Sequence, residues 1–504
     1  MFKKIMCSLL LLTMLLTQVA CAKGESQEGT GATEPTAATS TSAITEEVSA
    51  ETTSGYLDQL PDTLDFKEDE VYILSRSKDW VADEVSVKEL TGDLINDAIY
   101  TRNLAVEERL NVKIVNVYAP DNEENIIADV IRMQVNSNSD DYDLFAGNTN
   151  GIARYVGEGL FQNLRDLTYL DLSQPYWSQG YNEGAYVGDA QYFATGAICL
   201  SAYRFVFVTF FNKNLFDAYQ LPYLYDTVNE GKWTLDKQYE LSNIMYTDLN
   251  NDNVKNDKDQ FGFITCGNMI SVDPYWSSCN LKILSKDADN YYQFLPDIAR
   301  ISDAVDKINR LIWNNEGALS IPHITNDVEQ EQIMQMFASD QAGMATLRLL
   351  AVENELFRNM TSLYGIVPMP KFDETQTGYY SAAHNQITVY GVPLTVTGED
   401  LEMMGALMEA LASESYKTVM PAYYEVALKT KYVSDDESAK MLDKVIDNLY
   451  LDAGFFYSDN IPFYKQMRTW IGSNNNNVSS YIKSAQRILD KQVEALNDSF
   501  RKVQ

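Results

Sequence analysis

The stretch DLNNDNVKNDKD, Asp248 to Asp259, carries an oxygen-bearing side chain at nearly every second position. Hard cations such as Ca2+ are held by that kind of pattern, and the calcium loop of helix–loop–helix proteins takes its ligands at the first, third, fifth, seventh, ninth and twelfth positions. Counting from Asp248, those positions hold Asp248, Asn250, Asp252, Val254 (through its carbonyl), Asn256 and Asp259. The sixth position, where such loops turn sharply on a glycine, is Asn253, a residue that tolerates the left-handed backbone better than most. Asp259 is shorter than the usual glutamate at the last position. The loop is solitary, which points to a structural ion and away from a calcium sensor. A plain solvated turn has the same composition, so a bound Ca2+ and an ion-free loop both stay open.

Other chemistry is thinly supplied. Of five cysteines, Cys7 and Cys21 lie near the start, leaving Cys199, Cys266 and Cys279. No CxxC occurs and the only histidines are His323 and His384, too few ligands for a zinc site. Cys266 and Cys279 could bridge or remain free thiols. The signatures of serine hydrolases, phosphate-binding loops and zinc proteases are missing. A glycosidase would need two carboxylates about 5–9.5 Å apart, and none of the 72 acidic residues is singled out. The expectation is a protein that binds and does not catalyse, with no cofactor for chemistry and Ca2+ only as a structural ion.

Formal net charge is −33 and the isoelectric point is near 4.4. No Lys/Arg cluster rises above this background, so the electrostatic footprint of a nucleic-acid binder is missing, as is a basic patch for anionic lipid. Lys3 and Lys4 precede the apolar run Ser8 to Leu16, followed by Thr17-Gln-Val-Ala-Cys21. This reads as a secretory signal over residues 1–20, too short to span a membrane. Val19-Ala20-Cys21 resembles the lipobox of bacterial lipoproteins, in which Cys21 would be diacylated, although Gln18 stands where leucine is usual. An ordinary signal cut near Ala20 is the alternative. Residues 21–60 are dominated by Ser, Thr, Glu, Ala and Gly, a composition that cannot repay its ordering entropy and predicts a tether. The expected location is extracytoplasmic, on the outer face of the bacterial cell membrane, touching lipid through that anchor alone.

The elements that must position a site follow. Val71 to Leu74 and Val112 to Val117 read as strands, with a helix between them that faces Ile95, Ile99, Val106 and Leu110 inward. That alternation predicts a parallel α/β layer. Asp141 to Gly147 is a third strand, ending in the polar loop Asn148-Thr-Asn150, the kind of strand end where α/β proteins gather ligands. Phe205 to Phe211 reads as a buried strand. Leu401, Met404, Met408 and Leu411 mark one helix. Ser434-Asp-Asp-Glu437 is a capping box for another that faces Met441, Leu442, Val445, Ile446 and Leu449 inward, and Ile482 to Leu496 continue helically.

Several segments taken together resemble family 1 extracellular solute-binding proteins, the substrate receptors of bacterial sugar ABC importers. They are FNKNLF (Phe211 to Phe216), GKWTLD (Gly231 to Asp236), the Asp-rich loop leading into Phe261-Gly-Phe263, YGIVPMPK (Tyr364 to Lys371) and PAYYEVAL (Pro421 to Leu428). The resemblance covers residues 66–500 and implies a two-lobed α/β fold of the periplasmic-binding-protein type, with discontinuous lobes and a hinge cleft. Lobe 1 would be built from 61–203 and 348–413, and lobe 2 from 204–347 and 414–504. It implies a monomer that captures a carbohydrate, an oligosaccharide above all, and hands it to a transmembrane permease. A peptide or other solute, a surface glycan-capture module and a secreted glycosidase are the alternatives. Sugars need aromatic faces and paired polar groups, which on turn-flanked loops makes Asn148, Tyr176, Trp177, Tyr275, Trp276, Arg348 and Tyr379 the candidate ligand contacts. Each aromatic also suits a packing role, and Arg348 a structural ion pair.

Overall fold

Two sheets organise the chain. A computed structural model describes residues 55–503, apart from 79, 268, 323–325, 425–434 and 451. The signal, Cys21, most of the tether, His323 and Ser434 therefore lie outside the described residues. Strand β1 (Asp69–Ser75) buries Val71, Ile73 and Leu74. The helix Leu94–Leu110 returns the chain to β2 (Val112–Tyr118), parallel to β1 with Val71 opposite Ile114. Asp93 caps that helix by accepting from the N–H groups of Ile95 and Asn96, and Asn111 ends it in the left-handed region at φ 52°. Strand β3 (Leu144–Asn148) lies parallel to β1 on its other side.

The second sheet is larger. Strand β4 (Phe207–Asn212) is buried at every residue, because the strands Ala342–Arg348 and Tyr364–Val367 flank it and both of its faces are covered. Such a strand shows a continuous apolar run in place of alternation. Strands β5 (Tyr246–Thr247), β6 (Gln260–Cys266), β9 (Ala318–Ile321), β10 (Ala342–Arg348) and β11 (Tyr364–Val367) complete it in the order β11-β4-β10-β6-β5, with β9 also on β6. Strands β6, β9 and β10 run parallel. A separate hairpin joins β7 (Leu284–Lys286) to β8 (Tyr292–Phe294). Strand β12 (Thr388–Gly391) closes the first sheet antiparallel to β3, in the order β12-β3-β1-β2.

Three backbone segments lie side by side between the sheets. Phe207 donates its N–H to the Ala382 carbonyl at 2.9 Å, His384 donates to Phe205 at 3.0 Å, and Leu349 donates to Val206 at 2.8 Å. The chain enters β4 through this junction, at residues 205–207.

The other lobe boundaries need correction. Residues 348–413 do not all belong with the first sheet. β11 pairs with β4, Tyr364 opposite Asn212, and Gly365 lets it close on Phe211 and Tyr225, whose atoms stand 2.3 Å from where a Cβ would be. The return to the first sheet comes between β11 and β12. The helix Glu399–Lys417 then stays with the first lobe to its end, where Ser415 is buried and receives Arg102 Nη1 at 3.1 Å. The last crossing therefore follows Lys417. The C-terminal helix Val478–Val503, expected in lobe 2, touches both lobes. Its Asn497 Oδ1 accepts from the Tyr292 N–H at 3.0 Å, while its Phe500 stacks on Tyr192 with centroids 5.7 Å apart.

Candidate ligand cleft

In open α/β sheets, ligands gather beyond the carboxyl ends of the strands. Here β1 ends at Ser75 and β3 at Asn148 in one sheet, while β6, β9 and β10 end at Cys266, Ile321 and Arg348 in the other. Three of these ends lead to the three-segment junction: Arg76 beyond β1 donates to Thr388, Thr388 pairs with Asn148 of β3, and Leu349 after β10 donates to Val206. Trp80, just beyond β1, packs edge-on against Phe205 with centroids 5.1 Å apart. Arg76 and Lys78 lie 5.4 and 5.6 Å from the Trp80 ring, and Arg348 lies 5.3 Å from the Phe205 ring. His384 faces Phe207 at 6.1 Å. Burial, with the charges of Arg348, Arg468 and Arg76, holds the His384 imidazole well below its ordinary pKa. It is neutral at pH 7, and its Nδ1 accepts from the Gln386 N–H at 3.3 Å.

Of the seven residues expected to touch ligand, Arg348 and Asn148 stand at these strand ends. The Asn148 side chain is engaged internally, donating to the Glu124 carbonyl at 2.8 Å and accepting from the Gly151 N–H at 3.1 Å. Arg348 Nη2 donates to Gln330 Oε1 at 2.9 Å.

The aromatics lie elsewhere. Tyr176 and Trp177 are buried against Glu409, the tyrosine hydroxyl donating to Oε1 and the indole N–H to Oε2 at 3.1 Å. Tyr275 is buried in the helix Met269–Ser278 and donates to Gln238 Oε1 at 3.2 Å. Trp276 beside it donates to Asp452 Oδ1 at 3.2 Å and meets Tyr464 edge-on. The Tyr379 hydroxyl accepts from the Trp233 N–H at 3.1 Å, beside the GKWTLD turn.

Sequence reasoning passed over Arg76, Trp80 and His384. The signal was present, since Arg76 follows β1 directly as Asn148 ends β3. A cavity of about 660 Å3, whose lining includes none of Arg76, Trp80, Asn148, Arg348 and His384, is bounded by Trp177, Tyr203, Tyr416 and Tyr424 with Gln179 and Asp447.

The Asp248–Asp259 loop has the backbone that its spacing implies. Asn253 sits at φ 58° and donates its N–H to Asp248 Oδ2 at 2.8 Å, and the Val254 N–H reaches Asp252 Oδ1 at 2.7 Å. Asp259 is fully buried, its Oδ2 accepting from the Asn256 N–H at 3.1 Å. Asp259 Oδ1 and Asp248 Oδ1 are buried and find no donor among the described residues. Asn256 Nδ2 donates to the Val254 carbonyl at 2.8 Å, so that amide must turn before both oxygens can serve an ion. Among the described residues no three His, Cys, Asp or Glu side chains converge at metal-ligand distance. The donor set would thus draw on Asn and carbonyl oxygens, as hard-cation sites do. Cys199 and Cys279 are buried free thiols and Cys266 is buried as well, and burial raises the Cys279 pKa to about 12. No described helix is long and apolar enough to cross a membrane.

No protein-family model matches the chain, and no curated protein matches it in sequence. Among solved structures it is similar to a sugar transporter from Rhizobium etli in an open conformation, at 14% identity and TM-score 0.53 over 86% of this chain and 100% of that one. A cyclo/maltodextrin-binding protein complexed with maltotetraose aligns at 11% identity and TM-score 0.53, over 86% of this chain and 97% of the other. UgpB from Mycobacterium tuberculosis, in complex with glycerophosphocholine, aligns at 13% identity and TM-score 0.52, over 84% and 99%. These likenesses establish the fold, a two-lobed α/β architecture of the periplasmic solute-binding type.

Proposed function

We propose that this chain is a solute receptor that closes its two lobes on a carbohydrate and delivers it to the permease of an ABC transporter. The observation that carries this reading is the meeting of strand carboxyl ends from both sheets at one three-segment junction, around Arg76, Trp80, Arg348 and His384. Such a junction lets a ligand favour the closed form by touching both lobes at once. The solved structures of similar fold add support, since two of them are a sugar transporter and a maltotetraose-bound protein. The chain acts as a monomer, performs no chemistry itself, and is held outside the cell by a lipid on Cys21, which mass analysis of the membrane-extracted N-terminus would reveal.

Thermal unfolding against mono- and oligosaccharides and short peptides tests the function. Ligand at a hundred times its Kd adds ~2.7 kcal/mol to the folded state. A rise with saccharides is expected, and a rise with peptides alone would refute the sugar assignment. The aromatic lining of the 660 Å3 cavity favours a second placement of the sugar. Tyr424→Ala abolishing binding, with Arg348→Gln leaving it intact, would move the site there.

The same reading gives the Asp248–Asp259 loop a structural Ca2+. Its support is the pair of buried carboxylate oxygens without donors, Asp248 Oδ1 and Asp259 Oδ1. The ion would clamp the turn between β5 and β6 and supply no chemistry to the cleft.

A further inference from the structure

Resting on the receptor reading, one feature of the cleft narrows the class of sugar. Arg76 is 6% exposed. Its Nη2 donates to Thr388 Oγ1, while Nε and Nη1 are buried and find no acceptor among the described residues. The nearest carboxylate, Glu84, stands 3.8 Å away. Its oxygens are already taken by the Ser201 N–H at 2.8 Å, the Ser201 hydroxyl at 3.2 Å and the Thr388 hydroxyl. Burial brings the Arg76 pKa down to about 10.

The other cations nearby fall into two kinds. Arg468 is neutralised by a two-pronged pair with Asp273, both contacts 2.7 Å, and Arg204 by Glu353 at 2.7 and 3.0 Å. Lys78 lies over the Trp80 ring, and Arg348 lies over the Phe205 ring while donating to Gln330 Oε1 at 2.9 Å. A chain of net charge −33 thus places Arg76 at the end of β1 with two guanidinium nitrogens that find no acceptor among the described residues. Buried polar groups in native proteins are paired with protein, water or ligand, and at a cleft a ligand can supply the missing acceptor.

We propose that the saccharide this cleft takes carries an acidic group, a ring carboxylate, whose oxygens accept from Arg76 when the lobes close. The anion then lies between Arg76 of one lobe and Arg348 of the other, so closure itself depends on the acid. A sulfate or phosphate ester presents the same chemistry from another source.

Isothermal titration of the full chain tests this directly. The probes are oligogalacturonates and glucuronate-containing disaccharides, their carboxyl methyl esters, a sulfated and a phosphorylated sugar, and maltotetraose. The acidic sugars should bind at least about tenfold more tightly than their esters, with affinity falling as salt rises. Tight binding by the sulfated or phosphorylated sugar alone would keep the anion site and overturn the carboxylate. Arg76→Gln should lower affinity for the acid about tenfold to a hundredfold and change that for the ester less than about threefold. Where that variant fails to fold, the comparison of acid with ester in the unaltered protein decides alone. Esters binding as tightly as acids, or maltotetraose binding while no anionic sugar does, would overturn the proposal and leave the receptor reading standing. Silence from every saccharide would overturn both.

Discussion

Glu409 shows how burial turns a carboxyl group into a structural acceptor. It is 2% exposed, and burial raises its pKa to about 7 against the hydrogen bonds of Tyr176, Trp177 and the Asp171 N–H. A group whose folded pKa is raised stabilises the fold at low pH, and that stability drains away as pH climbs from the unfolded value near 4.5 to about 7. Glu409→Gln should flatten that slope. Urea titrations at pH 5 and pH 8 should differ by about 1–3 kcal/mol less in the variant than in the parent. Asp452, raised by burial to about 6 beside Trp276, should leave part of the slope in place. At this scale the sequence was least legible. Tyr176, Trp177 and Trp276 look available beside their prolines, yet the carboxylates that claim them lie 233, 232 and 176 residues away along the chain.

Local segments were read with more success, because their causes sit within a few residues. The helix Leu94–Leu110 buries Ile99, Val106 and Leu110 as its periodicity requires, and β4 is buried throughout as its unbroken apolar run requires. The helix Asp436–Asp447 was recognised, but its cap is Asp435, whose Oδ1 accepts from the Ser438 N–H at 2.8 Å. Asp435 also pairs with buried Lys213 and accepts from the Tyr225 hydroxyl at 3.0 Å. Asp435→Ala should lower stability by about 2–4 kcal/mol, a lost cap plus an unpaired buried ammonium, read as a lower urea midpoint at unchanged slope. At the loop, Ca2+ should raise the melting temperature relative to chelator. Asp259→Asn should abolish the rise while saccharide binding persists. Equal melting in calcium and chelator would remove the ion.

At the scale of the molecule, the C-terminal helix acts as a strap. Phe500 stacks on Tyr192 of the first lobe and meets Tyr457 edge-on, while Asn497 holds Tyr292 in the hairpin of β7 and β8. Phe500→Ala should destabilise by about 3–5 kcal/mol. If the strap also restrains the lobes, small-angle scattering should show a larger radius of gyration for the ligand-free variant. An unchanged radius would limit Phe500 to packing.

By itself the sequence determined the alternation of strands and helices, the polar strand end at Asn148, the spacing of the Asp248–Asp259 loop and the likeness to two-lobed receptors. Each of these depends on hydrophobic period, turn chemistry or spacing within some twenty residues of chain. Only the tertiary structure decided that β11 joins the second sheet, that the last helix spans both lobes, and that Arg76, Arg348 and His384 meet at one junction. Those outcomes depend on which distant surfaces bury one another. Arg76 and Thr388 are 312 residues apart in sequence, and local patterns carry no record of a contact that only closure of the whole chain creates.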